Sequence, residues 1–114
     1  MSVSVSIIVP CYNVAAYLDQ CMESLTGQSM EDIEIICVND GSSDRTAEIL
    51  REWRNRDRRV RIIDQKNSGV SAARNSGMEA AAGTYIGFVD PDDMVERNMF
   101  QRLFTAAAEK DADV

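Results

Sequence analysis

Short apolar runs alternate with amphipathic stretches four times along the chain, and this alternation constrains the fold more than any other feature. The apolar runs are rich in β-branched residues and predict strands at residues 3–9, 33–38, 60–63 and 85–89. The stretches that follow them carry apolar residues at helical spacing and predict helices that begin near Val14, Thr46, Val70 and Met99. Strands that alternate with helices form right-handed crossovers, so we expect an α/β fold with a mostly parallel sheet.

The size and the charge of the chain limit what it can bind. Its 114 residues make one ordinary domain, which we expect to span residues 1–114. The net charge of -7 argues against nucleic acid as a partner, because binding to its phosphates needs an excess of Lys and Arg. A ligand that carries phosphates would instead need a cation to offset the carboxylates of the protein.

The histidine and cysteine content excludes several classes of site. The sequence has no histidine, which excludes Ser-His-Asp and Cys-His catalysis. Its three cysteines, Cys11, Cys21 and Cys37, are odd in number and form no C-x-x-C pair, so neither a disulfide framework nor a zinc site is indicated. We expect all three to be buried as small hydrophobic residues.

The sequence also predicts where in the cell the protein is located. The first residues show no signal-peptide pattern, and no apolar run is long enough to span a bilayer. We therefore expect a cytoplasmic protein that is membrane-associated only through regions beyond this sequence. A basic run from Arg54 to Arg61 follows a predicted helix end, where cations are favourable. It favours a solvated surface, with peripheral contact to anionic lipid as the alternative.

Four polar loops follow the four predicted strands. They are residues 10–13, 39–42, 65–69 and 90–93. Because the carboxyl ends of parallel strands share one edge of the sheet, we expect these loops to converge there. Ligands of such sheets bind at this edge, near the point where the strand order reverses.

The fourth loop holds three carboxylates in four residues, Asp90, Asp92 and Asp93. Mutual repulsion makes such a cluster unfavourable unless a hard divalent cation takes its oxygens as ligands. Alternation along an extended backbone would place Asp90 and Asp92 on the same side. The alternative is a solvated acidic turn at the start of the last helix.

Three further side chains each have a functional and a structural interpretation. Asp40, at the end of the second strand, either accepts the N3–H of uracil or forms an Asx-turn before Gly41. Tyr12 either stacks on a base or lies at the rim of the first loop. Arg74, early in the third helix, either points toward the ligand or is solvated.

Taken together, the four loops resemble those of the family 2 glycosyltransferases, which have the GT-A fold. The resemblance covers nearly the whole chain and rests on four stretches in order, residues 6–13, 38–44, 67–77 and 83–93. It implies a Rossmann-like three-layer sandwich and a nucleotide-diphospho-sugar as the ligand. By the same resemblance the chain would act in polysaccharide biosynthesis.

The resemblance also implies a role for each matching residue. Pro10 and Tyr12 would line the base pocket, and Asp40 would hold the uracil. Asp44 is similar to a helix cap that keeps the Asp40 loop in shape. Arg74 and Asp90 would approach the nucleotide. Asp90 and Asp92 match the Asp-x-Asp motif of the family, with Asp92 as the more direct ligand of Mn2+ or Mg2+.

The implied reaction is sugar transfer from a UDP-sugar to an acceptor sugar or a lipid-linked glycan, with inversion at the anomeric carbon. The catalytic base and the acceptor pocket of the family lie beyond Val114, so we expect the chain to stop before them and to bind donor and metal without efficient transfer. The alternative is a nucleotide-binding module without catalysis. An aspartate-phosphorylated receiver, a dinucleotide oxidoreductase and a sugar nucleotidyltransferase are disfavoured, because the first loop, residues 10–13, has neither paired acids nor a glycine-rich turn.

Overall fold

The computed structural model describes residues 3–112, with side chains as far as Glu109. Over this range strands and helices alternate as the sequence predicts. The elements are β1 Val5–Cys11, α1 Ala15–Thr26, β2 Ile33–Asp40, α2 Thr46–Arg56, β3 Val60–Gln65, α3 Val70–Ala80, β4 Tyr85–Phe88 and α4 Met99–Ala112.

The four strands form one parallel sheet in the order β3-β2-β1-β4. The chain first builds outward from β1 through β2 to β3, and then crosses back so that β4 lies on the other side of β1. The strand order therefore reverses between β1 and β4. Every residue of β1 and β2 is buried, because both strands are covered on both faces. The predicted α/β fold is confirmed.

Helices cover both faces of the sheet, which makes three layers. On one face, alternate residues of β1 such as Ile7 and Val9 share a core with α1, α2 and Phe100 of α4. On the other face, Ile8 packs with Ala73 of α3. The buried face of α2 consists of Thr46, Ile49, Leu50 and Trp53, as helical spacing predicts.

Strand β1 continues through Pro10, where the sequence had predicted a stop. In a parallel sheet the backbone groups of alternate residues point to the same neighbour, and the carbonyl of Ile8 accepts from Val89 on the β4 side. Pro10 faces that same side, two residues beyond the last β1–β4 pair, Ile8 and Phe88. Proline has no N–H to donate, but β4 has already ended at this point and no strand hydrogen bond is lost. The strand therefore tolerates Pro10.

The amino end of the sheet is held by a buried polar network. Glu34 accepts hydrogen bonds from Ser6 Oγ at 2.5 Å and from the amide of Ala82 at 2.6 Å, and it pairs with Arg61 at 2.7 Å. Burial opposes ionisation of Glu34, but these donors outweigh it and hold its pKa below the ordinary value. The network ties β1, β2 and β3 to the end of α3.

Two further arginines of the basic run, Arg56 and Arg59, also contact other residues of the chain. Arg59 pairs with Asp57 at 2.8 Å and donates to the carbonyl of Thr26, and the Arg56 guanidinium lies 4.9 Å from the Trp53 ring centroid. Within the described part of the chain, no helix is both long enough and apolar enough to cross a membrane.

Candidate functional site

The first two loops are joined directly by hydrogen bonds through Asn13. Its side-chain oxygen accepts from the backbone amides of Ser43 at 2.8 Å and Asp44 at 3.3 Å. Its own amide donates to Ser42 Oγ at 3.0 Å. Asn13 has a positive φ of 51°, a conformation that Asn adopts more readily than most residues. The β1–α1 and β2–α2 loops therefore form one unit.

Asp44 stabilises the start of two helices at once. Its carboxylate accepts from the amide of Thr46 at 2.9 Å, at the start of α2, and from the amide of Ala15 at 3.2 Å, at the start of α1. The resemblance implied a capping role for Asp44, and Asp44 makes these bonds from one residue before Arg45, the N-cap residue of α2. Burial opposes ionisation of Asp44, but the hydrogen bonds from Thr46 and Ala15 outweigh it and lower its pKa.

Asp40 is held at the end of β2 by donors from the third loop. Its Oδ1 accepts from Gln65 Nε2 at 2.9 Å and from the amide of Ser68 at 2.8 Å, and its Oδ2 accepts from the amide of Gly69 at 2.9 Å. The Gln65 hydrogen bond lowers the pKa of the Asp40 carboxyl; burial opposes this, and the two backbone amides add to the lowering. Asp40 is therefore an oriented anion, and the Asx-turn interpretation is wrong because its donors come from β3 and the loop that follows.

Asp40 faces a cavity of about 330 Å³ at the carboxyl ends of β1 and β2. Its lining residues are Pro10, Cys11, Tyr12, Asp40, Asn67, Gly69, Val70 and Ala73. The Tyr12 side chain is 53% exposed at the rim, so its ring is free to meet a flat ligand. Pro10, Tyr12 and Asp40, which the sequence singled out, thus lie in one cavity.

Residues of the third loop complete this cavity, although the sequence analysis gave them no individual role. Asn67 donates from Nδ2 to the carbonyl of Asp40 at 3.1 Å. It approaches so closely that a Cβ on Gly41, whose φ is 73°, would lie 2.6 Å from the backbone nitrogen of Asn67. The sequence did predict a polar loop at residues 65–69, after the third strand. It could not predict that this loop contacts Asp40, because that contact depends on how β2 and β3 pair.

A second cavity of about 310 Å³ lies at the end of β4. It is lined by Arg74, Phe88, Val89, Asp90, Asp93, Val95 and Met99. Arg74 Nη2 lies 3.8 Å from Asp90 Oδ1, and the Arg74 guanidinium carbon is 5.9 Å from the centroid of the Phe88 ring. Arg74 Nε is buried without a hydrogen-bond partner. Arg74 is thus directed at the fourth loop rather than only solvated.

The three carboxylates of the fourth loop are close together and exposed. One oxygen from each of Asp90, Asp92 and Asp93 lies within 4.8 Å of the others. The backbone is not extended here, since the amide of Asp93 donates to the carbonyl of Asp90 at 3.0 Å and closes a turn. The prediction that an extended backbone places Asp90 and Asp92 on the same side is therefore wrong. The turn brings their carboxylates together instead, and it adds that of Asp93. Three carboxylate oxygens on an open turn fit a hard divalent cation that keeps water on its other side.

Three buried thiols lie behind this edge. Cys11, Cys21 and Cys37 are all free and buried, which confirms the prediction. Cys21 Sγ is 3.8 Å from the carbonyl of Asp90, and burial raises the pKa of Cys21 to about 12. Its thiol is therefore neutral and supports the fourth loop from beneath.

The two cavities are neighbours along one edge of the sheet. Adjacent residues of α3, Ala73 and Arg74, line the first and the second cavity respectively. The first cavity offers an oriented anion and a flat ring, and the second offers a cation and a carboxylate cluster. The edge thus suits a ligand with a flat polar ring at one end and anionic groups at the other.

Comparison with known proteins places these observations in a family. The family described as "Glycosyl transferase family 2" matches residues 6–114. The chain is 54% identical to "Uncharacterized glycosyltransferase EpsJ" of Bacillus subtilis over 96% of its own length and 32% of the relative's. It is 45% identical to "Glycosyltransferase GlyG" of Streptococcus pneumoniae, over 100% of its own length and 38% of the relative's.

A solved structure gives the same assignment. S. aureus TarS 1-349 in complex with UDP-GlcNAc superposes with a TM-score of 0.82 at 32% sequence identity, over 96% of this chain and 31% of that one. The chain therefore spans about a third of the length of the relatives that it matches.

Proposed function

Because the chain belongs to glycosyl transferase family 2, we propose that it forms the donor-binding part of a glycosyltransferase that uses a UDP-sugar. The observation that carries this proposal is the Asp40 carboxylate, held as an anion at the wall of a cavity that also contains Tyr12 and Pro10. The UDP-GlcNAc bound to the related S. aureus TarS 1-349 supports the choice of nucleotide.

The first cavity would hold the base. The Oδ2 oxygen of Asp40 accepts one hydrogen bond from Gly69, and a carboxylate oxygen can accept a further one. Uracil presents an N3–H donor to such an oxygen, whereas N3 of cytosine is an acceptor and would leave the carboxylate unpaired. Tyr12, exposed at the rim, would stack on the ring.

The second cavity would hold the diphosphate. Asp90 and Asp92 would bind Mn2+ or Mg2+, with Asp92 as the more direct ligand and Asp93 beside them. A bound divalent cation neutralises charge on the departing nucleoside diphosphate. Arg74 lies beside Asp90 and can add a second positive charge for the same phosphates.

The transfer itself would need groups outside this chain. In an inverting transfer, a carboxylate base removes the proton from the acceptor hydroxyl while the diphosphate leaves. Asp40 is assigned here to the nucleobase, and Asp90 and Asp92 to the cation, so none of these three carboxylates is left to act as the catalytic base. The acceptor would be a sugar or a lipid-linked glycan.

Nucleotide selectivity tests this proposal. Calorimetric titration of the chain with UDP and with CDP, in Mn2+, should show tighter binding of UDP. Asp40→Asn presents either an amide N–H or a neutral oxygen to the base, and it should reduce the preference for UDP over CDP by about tenfold or more, as expected for a hydrogen bond to a charged group.

The matched control is Asp32→Asn, which changes a carboxylate that bonds Ser4 at the amino end of the sheet. This variant should keep the preference of the wild type. Equal affinity of the wild type for UDP and CDP would contradict the proposal.

A further inference from the structure

Two side chains behind Asp40, Gln65 and Ser76, form a hydrogen-bonded relay, and the sequence predicted no role for either of them. Gln65 Nε2 lies 2.9 Å from Asp40 Oδ1, and Gln65 Oε1 lies 2.6 Å from Ser76 Oγ. Gln65 is the last residue of β3, and it pairs with Asp40 in the register of the two strands. Ser76 is on the second turn of α3. The relay therefore connects the sheet, the helix and the carboxylate.

The chemistry of the three groups favours a single arrangement of protons. An ionised carboxylate only accepts hydrogen bonds, so Gln65 must direct its NH2 group at Asp40. Its carbonyl oxygen then faces Ser76, whose hydroxyl has one proton and can donate it there. The carbonyl of Ala72 is also an acceptor, 3.0 Å from Ser76 Oγ, and it competes for that proton; the shorter 2.6 Å contact favours donation to Gln65.

Loss of either relay side chain would leave the Asp40 carboxylate less firmly oriented. If Ser76 did not donate, the Gln65 amide could rotate by half a turn and place its oxygen against Asp40 Oδ1, which is repulsive. The amides of Ser68 and Gly69 would remain, but both belong to the loop between β3 and α3 rather than to a strand. Among the described donors to the Asp40 carboxylate, Gln65 is the one that comes from a strand of the sheet.

We propose that Gln65 is a positioning residue for base recognition: oriented by Ser76, it fixes Asp40 so that the free lone pair of Oδ2 points at the base. This inference rests on the proposed function, because it assumes that Asp40 reads a uracil. Gln65 itself does not line the cavity that holds Asp40, so it acts through the carboxylate and not on the ligand.

The test is a set of calorimetric titrations with UDP and CDP on the chain. Gln65→Met keeps the length of the side chain and removes the donor. It should lower UDP affinity by about tenfold and reduce the preference for UDP over CDP, as expected for one charge-assisted hydrogen bond. Ser76→Ala should act in the same direction, and Ser76→Thr, which keeps the hydroxyl, should restore the behaviour of the wild type. Gln101→Met is the matched control, because Gln101 donates to Thr105 on α4, and it should change neither value.

A double-mutant cycle separates positioning from a general structural effect. In an Asp40→Asn background, Gln65→Met should have no further effect on UDP affinity, because the group that it positions is altered. An equal loss in both backgrounds would overturn the inference, and so would an unchanged UDP affinity of Gln65→Met on its own. Failure of the wild type to bind UDP would overturn the proposed function, and the inference with it.

Discussion

Asp44 shows how much one side chain determines at this sheet edge. It accepts hydrogen bonds from the first amides of two helices, and Asn13 joins the same two loops from the other direction. The sequence predicted Asp44 as a cap of the helix that follows it. Its second role, at the start of α1, was not predictable, because Ala15 lies 29 residues away along the chain.

Removing this cap should destabilise the chain. Asp44 lies one residue before Arg45, the N-cap residue of α2. Because its carboxylate bonds helix-end amides as a capping side chain does, we expect Asp44→Ala to lower the free energy of unfolding by about 1 kcal/mol. The pKa of Asp44 is lower in the folded state than in the unfolded state, so its contribution is complete above its ordinary pKa and is lost as the pH falls through the folded value. Urea unfolding at neutral and at acidic pH measures both effects.

Asp44→Asn is the matched control for charge. Its amide oxygen still accepts the hydrogen bonds, so it should retain more stability than Asp44→Ala, without the pH dependence that residue 44 contributes in the wild type. An Asp44→Ala variant as stable as the wild type at neutral pH would contradict the capping role.

The secondary-structure elements were largely predictable, and the exceptions have physical causes. All four strands and all four helices were predicted in order, because hydrophobic periodicity reports which side of each element is buried. The end of β1 was not, since whether a strand tolerates Pro10 depends on where its neighbour stops. The turn at Asp90 to Asp93 was predicted only as the alternative to an extended backbone, because the acidic pattern does not encode the backbone hydrogen bond that closes it.

The residues of the candidate site were also predictable only in part. Asp40, Asp90 and Asp92 stood out because carboxylates at strand ends are chemically conspicuous. Gln65 did not, because an amide at the end of β3 becomes informative only once the β2–β3 register places it opposite Asp40. The sequence thus predicted the carboxylates that would contact a ligand. It did not predict Gln65, which we propose positions Asp40.

The contact between α3 and β1 supports a prediction at the level of packing. Gly77 of α3 faces Ile8, and a Cβ at position 77 would lie 2.5 Å from Ile8 Cγ2. Alanine favours a helix over glycine by about 1 kcal/mol. Overpacking of a buried contact costs about 1–3 kcal/mol or more, and Ile8 is fully buried. We expect Gly77→Ala to lower the free energy of unfolding, as measured by urea denaturation.

Ser71→Ala serves as the control on the same helix, because Ser71 is exposed. Its effect should stay within about 0.5 kcal/mol, as is usual for surface positions. A Gly77→Ala variant more stable than the wild type would show that α3 moves away from β1 at little cost.

At the scale of the whole molecule, one edge of the sheet brings together the Asp40 carboxylate, the Arg74 guanidinium and the cluster of three carboxylates in the fourth loop. The reversal of strand order between β1 and β4 places the base cavity and the acidic turn side by side, with α3 contributing to both. Because the chain is strongly acidic, a diphosphate can settle at this edge only if positive charge is supplied. The proposed function therefore requires that the cation and the nucleotide bind cooperatively.

Calorimetric titration of the chain with UDP, in Mn2+ and then in EDTA, tests this requirement most directly. We expect Mn2+ to raise the UDP affinity of the wild type by about tenfold or more, within the usual range for two coupled ligands. Asp92→Ala should bind UDP equally weakly under both conditions. Glu96→Gln, also between β4 and α4 but outside the carboxylate cluster, should keep the full response. A wild type that binds UDP with the same affinity in Mn2+ and in EDTA would contradict the account.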